Sequence, residues 1–172
     1  MRFGFPFYLN TIVSPFFLPD VWNNSDKLRF YTDAAGSLGF GAIFGDNWSY
    51  GKWPANWIDK NIETLEFYPI VVSLRLWGDQ LNNQCVLFFT DNEALVHVIK
   101  RQSCRDPSLM IFVRELVSIC LKHNILFKAK HMPGVHNTLA DSLSRLQVAL
   151  FKKMALPSMC QSPTEIPSHL LP

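Results

Sequence analysis

The sequence is short of charge. Asp, Glu, Lys and Arg make up 17% of its 172 residues, and the formal net charge is only +2. That excludes a chain held open by self-repulsion, and 48% hydrophobic residues place it among folded globular proteins. It has no run of about 18 apolar residues, which excludes a membrane-spanning helix. The four cysteines, Cys85, Cys104, Cys120 and Cys160, include no CxxC pair. This argues against a zinc site or a disulfide scaffold and for a reducing, intracellular compartment, cytoplasmic or nuclear. The apolar opening MRFGFPFYLNTIVSPFFLP is interrupted by Pro6, Asn10, Pro15 and Pro19, so it makes a poor signal peptide and secretion is not expected. The glycosylation sequons at Asn23 and Asn47 then read as chance matches. No internal repeat is evident.

What charge there is lies unevenly. Residues 1–90 carry 6 Lys and Arg against 8 Asp and Glu, and residues 91–172 carry 10 against 6. The second half is the candidate for a surface facing a polyanion, with an ordinary solvated face as the alternative. The length suits one domain with a real core.

The organising stretch is Leu28–Gly41, LRFYTDAAGSLGFG. Leu28, Phe30 and Thr32 alternate with Arg29, Tyr31 and Asp33, which predicts a two-faced strand. Gly36, Gly39 and Gly41 permit a tight turn and a close approach. Residues 28–54 read as three short strands, with a second turn at Asp46-Asn47. Residues 1–27 read as a leader that packs on something or joins an upstream domain. A helix is predicted over Asn61–Leu81, with a late start or a bend at Pro69. Cys85–Thr90, CVLFFT, reads as a strand covered on both faces, followed by a helix over Asn92–Lys100 and a basic loop holding Lys100, Arg101 and Arg105. Asp106-Pro107 is a strong helix start, with Leu109, Phe112, Val113, Leu116, Val117, Cys120 and Leu121 as its apolar stripe and Asn124 as its end. Ile125–His131 is the last strand, and Asn137 caps a helix running to about Leu146. Residues 148–172, with Pro157, Pro163, Pro167 and Pro172, read as a linker or loose end. Three strands, helix, strand, two helices, strand, helix is an α/β order: a mixed sheet with helices on both faces.

Four acids can meet in such a fold. Asp33 ends the first strand and Asp91 follows the fourth, and those strands can lie side by side and parallel, with both acids at one end. Glu66 sits early in the helix between them, and Asp141 on the first turn of the last helix. Carboxylates brought together repel unless a cation joins them. Hard divalent ions take oxygen ligands, and a pair of them about 3.5–4 Å apart would activate water against a phosphodiester. Singly, each acid also has a plain reading: Asp91 as a helix cap, Glu66 and Asp141 as first-turn acids that complement the helix dipole.

The stretches YTDAAGSLGFGA (31–42), ETLEFYPIVVSLRLWG (63–78), FFTDNEALV (88–96) and HMPGVHNTLADSLSR (131–145) carry a further signal. Together, in this order and spacing, they resemble the ribonuclease H domain of retroelement reverse transcriptases, and most of all that of DIRS-type retrotransposons, which encode a tyrosine recombinase. The resemblance implies a ribonuclease H-like domain over residues 28–147 with a five-stranded sheet, its first three strands antiparallel. It implies cleavage of the RNA strand of an RNA–DNA hybrid with two Mg²⁺ ions, or Mn²⁺, and places the metal ligands at Asp33, Glu66, Asp91 and Asp141. It also implies a helper histidine before the last acid: His136 is the candidate and His131 the alternative, though each reads more readily as a solvated or hydrogen-bonded loop residue. Candidate substrate contacts are Gly36, Asn92, Arg101 and Asn137, with Lys100 and Arg105 in the same basic loop. The sequence has no YxDD-like acidic pair and no room for a polymerase, so an upstream reverse transcriptase polymerase domain in a longer polyprotein is the expected partner, with no membrane. The competing reading is a catalytically inactive scaffold on the same fold in a degraded or co-opted element.

Overall fold

The computed structural model describes residues 21–133 and 137–172. The three expected strands are β2 (Phe30–Ala35), β3 (Gly39–Phe44) and β4 (Asn47–Lys52), paired antiparallel in that order. The second turn falls one residue earlier than expected, at Gly45-Asp46, where Gly45 takes φ 59°. Alternation then gives β3 two different faces. Phe40, Ala42 and Phe44 point to one side, into clusters shared with α2 (Ile62–Trp77), and Ile43 points to the other, against Ala140, Leu143 and Phe151.

The sheet is not a single five-stranded one. It is two three-stranded sheets, because the chain contributes a strand within the segment expected to be a leader. β1 (Trp22–Asn24) pairs parallel with β5 (Cys85–Thr90), which pairs parallel with β6 (Leu126–His131). Between β1 and β2 the chain makes a helical turn, α1 (Ser25–Leu28). Asn24 caps it by accepting from the Lys27 N–H at 2.9 Å, and Arg29 leaves it at φ 47°. That turn carries β2 out of register with β5. The Phe89 N–H instead donates to the buried Ser25 hydroxyl at 2.8 Å. β2 and β5 approach one another, but no ladder joins them.

α2 begins at Ile62, with the Asn61 side chain accepting from the Thr64 N–H at 2.9 Å. It runs unbroken through Pro69, so the late start does not occur. Pro69 lacks the N–H that would bond the Leu65 carbonyl, and Ser73 donates its hydroxyl to the Pro69 carbonyl at 2.6 Å. α3 (Glu93–Arg101) and α4 (Pro107–Lys122) follow β5. Asp106 caps α4 as expected, accepting from the Ser108 N–H at 2.8 Å. The α4 stripe holds Leu109, Val113, Leu116 and Ile119 in the core but leaves Leu121 74% exposed, so the apolar face is narrower than the sequence pattern. Phe30, Phe67 and Phe88 are fully buried in the main core between α2 and the sheets, each worth about 1.5–3 kcal/mol of burial.

The opposite face carries α5 (Thr138–Ser144) and α6 (Val148–Met154), the latter not expected from sequence. The stretch beyond α6, expected as a loose end, lies along the outer edge of β4. The Cys160 N–H donates to the Asp46 carbonyl at 2.9 Å and the Thr164 N–H to the Trp48 carbonyl at 2.7 Å. Trp48 returns its indole N–H to the Cys160 carbonyl at 2.7 Å, and the Tyr68 hydroxyl donates to the Leu170 carbonyl at 2.6 Å. An edge strand exposes unpaired backbone groups, and here the tail takes them up. Among the described residues, no helix is long and apolar enough to cross a membrane.

Candidate active site

Each of the four acids comes from a different element. Asp33 is on β2, Glu66 in the second turn of α2, Asp91 directly after β5, and Asp141 in α5. α5 reaches Asp33 because of a glycine. Asp33 lies opposite Gly41 in the β2–β3 register, and directly opposed residues share one face of a sheet. That face is the one α5 covers. A Cβ on Gly41 would stand 2.4 Å from the Leu143 Cβ and 2.8 Å from the Ala140 carbonyl oxygen. The close approach foreseen for the Gly-rich stretch is therefore that of α5.

The acids feel one another. Burial is the main cause that raises the Asp33 carboxyl from its usual 3.8 to about 6; the charges of Asp141 and Asp91 add to it, while a hydrogen bond from Ser144 and the charge of Arg145 oppose it. Burial likewise pushes Glu66 up from 4.5 to about 7, with Asp91, Asp33 and Glu63 adding and the Asn92 side chain opposing. Asp33 thus lies in the field of each of the other three acids.

A consequence can be measured. Between their unfolded values, near 4, and their folded values of about 6 and about 7, these groups bind more protons in the native state than in the unfolded one. Stability without metal therefore falls as pH rises through that window. Allowing for solvent screening, the loss is about 2 kcal/mol, or about 4–8 °C in melting temperature for a chain of this size. Calorimetry in chelator at pH 4.5 and pH 8 should show this drop, and the double variant Asp33→Asn, Glu66→Gln should show less of it. An equal drop in both proteins would contradict the account.

The donor set fits a hard divalent cation. Its ligands would be carboxylate oxygens only, and Glu66 Oε2 is a buried oxygen with no hydrogen-bond partner, the state a cation would relieve. As they stand, however, no three acidic, His or Cys side chains among the described residues are arranged to hold a metal ion. The geometry gives a reason. Ser144 donates to Asp33 Oδ2, and Arg145 Nε donates to Asp141 Oδ1 at 2.8 Å. One oxygen each of Asp33 and Asp141 is thus already taken by a protein donor.

The other candidates are placed as follows. Asn92, not Asp91, caps α3, with its side chain accepting from the Leu95 N–H at 3.1 Å, so the plain reading of Asp91 as a cap fails. Asn137 donates its amide N–H to the Thr32 carbonyl at 2.8 Å, and its Oδ1 is buried without a partner. It lines a cleft of about 40 Å³ with Thr32, Thr90 and Asp91. Gly36 is exposed at the β2–β3 turn, and a Cβ there would meet nothing. Arg101 closes α3, about 13 Å from its Asn92 end; Lys100 and Arg105 are exposed nearby. His131 ends β6 opposite Thr90, one residue from Asp91. His136 lies outside the described residues. Sequence reasoning missed Ser144 and Arg145 as partners of the acids. The available signal was spacing: they stand three and four residues after Asp141, where side chains share a helix face.

This architecture is a ribonuclease H-like α/β fold. Among solved structures, the chain is similar to LC11 ribonuclease H1, isolated from compost by a metagenomic approach, with 22% identity and a TM-score of 0.50 over 70% of this chain and 96% of that one. Ribonuclease H1 from the halophilic archaeon Halobacterium salinarum NRC-1 is 16% identical, with a TM-score of 0.48 over 69% of this chain and 95% of that one. The LC11 enzyme in complex with an RNA/DNA hybrid is 19% identical, with a TM-score of 0.48 over 70% and 96%. No family model matches the chain, and no curated protein matches it.

Proposed function

We propose that this chain is a metal-dependent endoribonuclease that cleaves the RNA strand of RNA–DNA hybrids, acting as the ribonuclease H part of a DIRS-type retroelement reverse transcriptase. The observation that carries the reading is the field that Asp33 shares with Glu66, Asp91 and Asp141, with the partnerless Glu66 Oε2 inside it. These four would hold the Mg²⁺ ions, two in number, or Mn²⁺, which when bound supply an activated water and a charge for the leaving oxygen. The residues of the chain provide the frame. α2 presents Glu66 from a buried face, and the Asn92 side chain, fixed by its capping bond, steadies it. At pH values above about 7 both Asp33 and Glu66 are ionised and their repulsion favours a bound cation. The hybrid would be gripped mainly through phosphates and sugars, with the 2′-hydroxyl distinguishing RNA from DNA. Arg101, Lys100 and Arg105 supply positive charge on the exposed end of α3 and the loop beyond, a helix length from the acids. An upstream polymerase domain would supply further grip on the duplex.

One observation favours a second reading, an inert scaffold on the same fold: Arg145 pairs with Asp141 at 2.8 Å. A gel assay on a labelled RNA–DNA hybrid, beside duplex RNA and duplex DNA, decides between the two. The expected result is cleavage of the RNA strand of the hybrid alone, dependent on added Mg²⁺. Equal cleavage of all three duplexes, or none in Mg²⁺ or Mn²⁺, would overturn the proposal.

A further inference from the structure

Asp33 and Asp141 lie on separate elements, and one side chain touches both residues. Ser144, 0% exposed, places its Oγ in hydrogen-bond contact with Asp33 Oδ2 and 2.9 Å from the Asp141 main-chain carbonyl oxygen. A serine hydroxyl has one proton to give. The carbonyl one turn back is an ordinary partner for a helical serine, whereas a carboxylate 111 residues away is a tertiary contact. Seven residues earlier, at the N-cap of α5, Asn137 donates to the Thr32 carbonyl at 2.8 Å. α5 therefore grips β2 at two adjacent residues, by backbone at Thr32 and by side chain at Asp33. Gly41, opposite Asp33, leaves the space in which both contacts form.

We propose that Ser144 is the positioning residue for Asp33, fixing the β2 carboxylate against α5 so that the acids of two elements keep one relative placement. For catalysis, this rests on the reading of Asp33 as a member of the nuclease site. A hydroxyl in this role restrains the rotation of the carboxylate while leaving its second oxygen open to the site. A serine that merely satisfied its own helix would leave Asp33 unaffected.

Two measurements test the proposal. In single-turnover and steady-state cleavage of the hybrid, Ser144→Ala should lower kcat by about 10–100-fold, the usual scale for losing a partner that orients a ligand, with KM changed less than about twofold, as befits a loss felt at the chemical step. In chelator, the melting shifts of Ser144→Ala and Asp33→Ala should fail to add in the double variant, because each removes the contact between the two residues. Unchanged kcat, a KM that rises in step with any loss, or melting shifts that add would each overturn the proposal. A wild type that cleaves no hybrid would sink the nuclease reading, and the melting cycle alone would then decide whether Ser144 holds Asp33.

Discussion

Replacing Asp33 with asparagine is expected to lower hybrid cleavage in Mg²⁺ by at least about 10³-fold, the scale on which removal of one group stabilising charge in a transition state acts, while the protein stays folded. The two halves of this expectation have separate causes. Asn is nearly the same shape as Asp, and its carbonyl oxygen still accepts from the Ser144 hydroxyl that now meets Asp33 Oδ2. The ionised carboxylate sits in a partly buried place beside Asp91 and Asp141, which raise its pKa together with burial. Removing that charge relieves repulsion, so the variant should melt at or above the wild-type temperature at pH 8 without metal. Its activity should nonetheless fall, because a neutral amide neither attracts a dication nor balances one that is bound. Asp91→Asn should behave alike, since Asp91 is not spent on capping α3. Circular dichroism with a gel assay separates the outcomes. Wild-type-like turnover by either variant would remove that residue from the chemistry; a variant that fails to fold would contradict the account of burial.

How far the sequence disclosed this arrangement depended on the kind of force at work. The hairpins of β2, β3 and β4 were legible because a half-buried strand must alternate, and LRFYTD does so. α4 was legible because Asp106-Pro107 meets the cap requirement locally. An expected convergence of Asp33, Glu66, Asp91 and Asp141 followed from strand order once the four motifs were in hand. The division into two sheets did not. It depends on Asn24 capping a single turn and on Ser25 satisfying the Phe89 N–H, and the short Asn-Ser-Asp run was the only local sign. The tail against β4 was illegible for another reason. Its anchors are the backbone N–H groups of Cys160 and Thr164 and the tips of Trp48 and Tyr68, which leave no periodicity, whereas its prolines and serines look like those of any linker. At the site, the acids announced themselves by type, but their partners did not. Ser144 and Arg145 are ordinary helix residues in the sequence and acquire meaning only through the closeness of α5 to β2.

That closeness sets the second large effect. Gly41→Ala should destabilise the protein by about 3 kcal/mol, the upper part of the range for forcing a methyl into a packed site, and should depress hybrid cleavage further than the stability loss accounts for. The added Cβ would meet the Leu143 Cβ at 2.4 Å, the Ala140 carbonyl oxygen at 2.8 Å and the Ser144 N at 2.9 Å. Two of these are backbone atoms of a helix, so no side-chain rotation relieves them, and α5 must move as a body away from β3. Moving α5 carries Asp141, Ser144 and Asn137 away from Asp33 and Thr32 together, loosening both tethers and separating two of the four acids. The packing of Leu143 and Ala140 against Ile43, Trp48 and Phe151 loosens as well. Gly36→Ala serves as the contrast. It lies five residues away in the same Gly-rich stretch, but a Cβ there meets nothing, so its melting temperature should stay within about 2 °C of wild type, as for an ordinary surface change. Denaturant melts of the two variants, followed by hybrid cleavage at a temperature where both are folded, distinguish the roles. If Gly41→Ala melted and cleaved like Gly36→Ala, the contact between α5 and β3 would not be what brings Asp141 to Asp33.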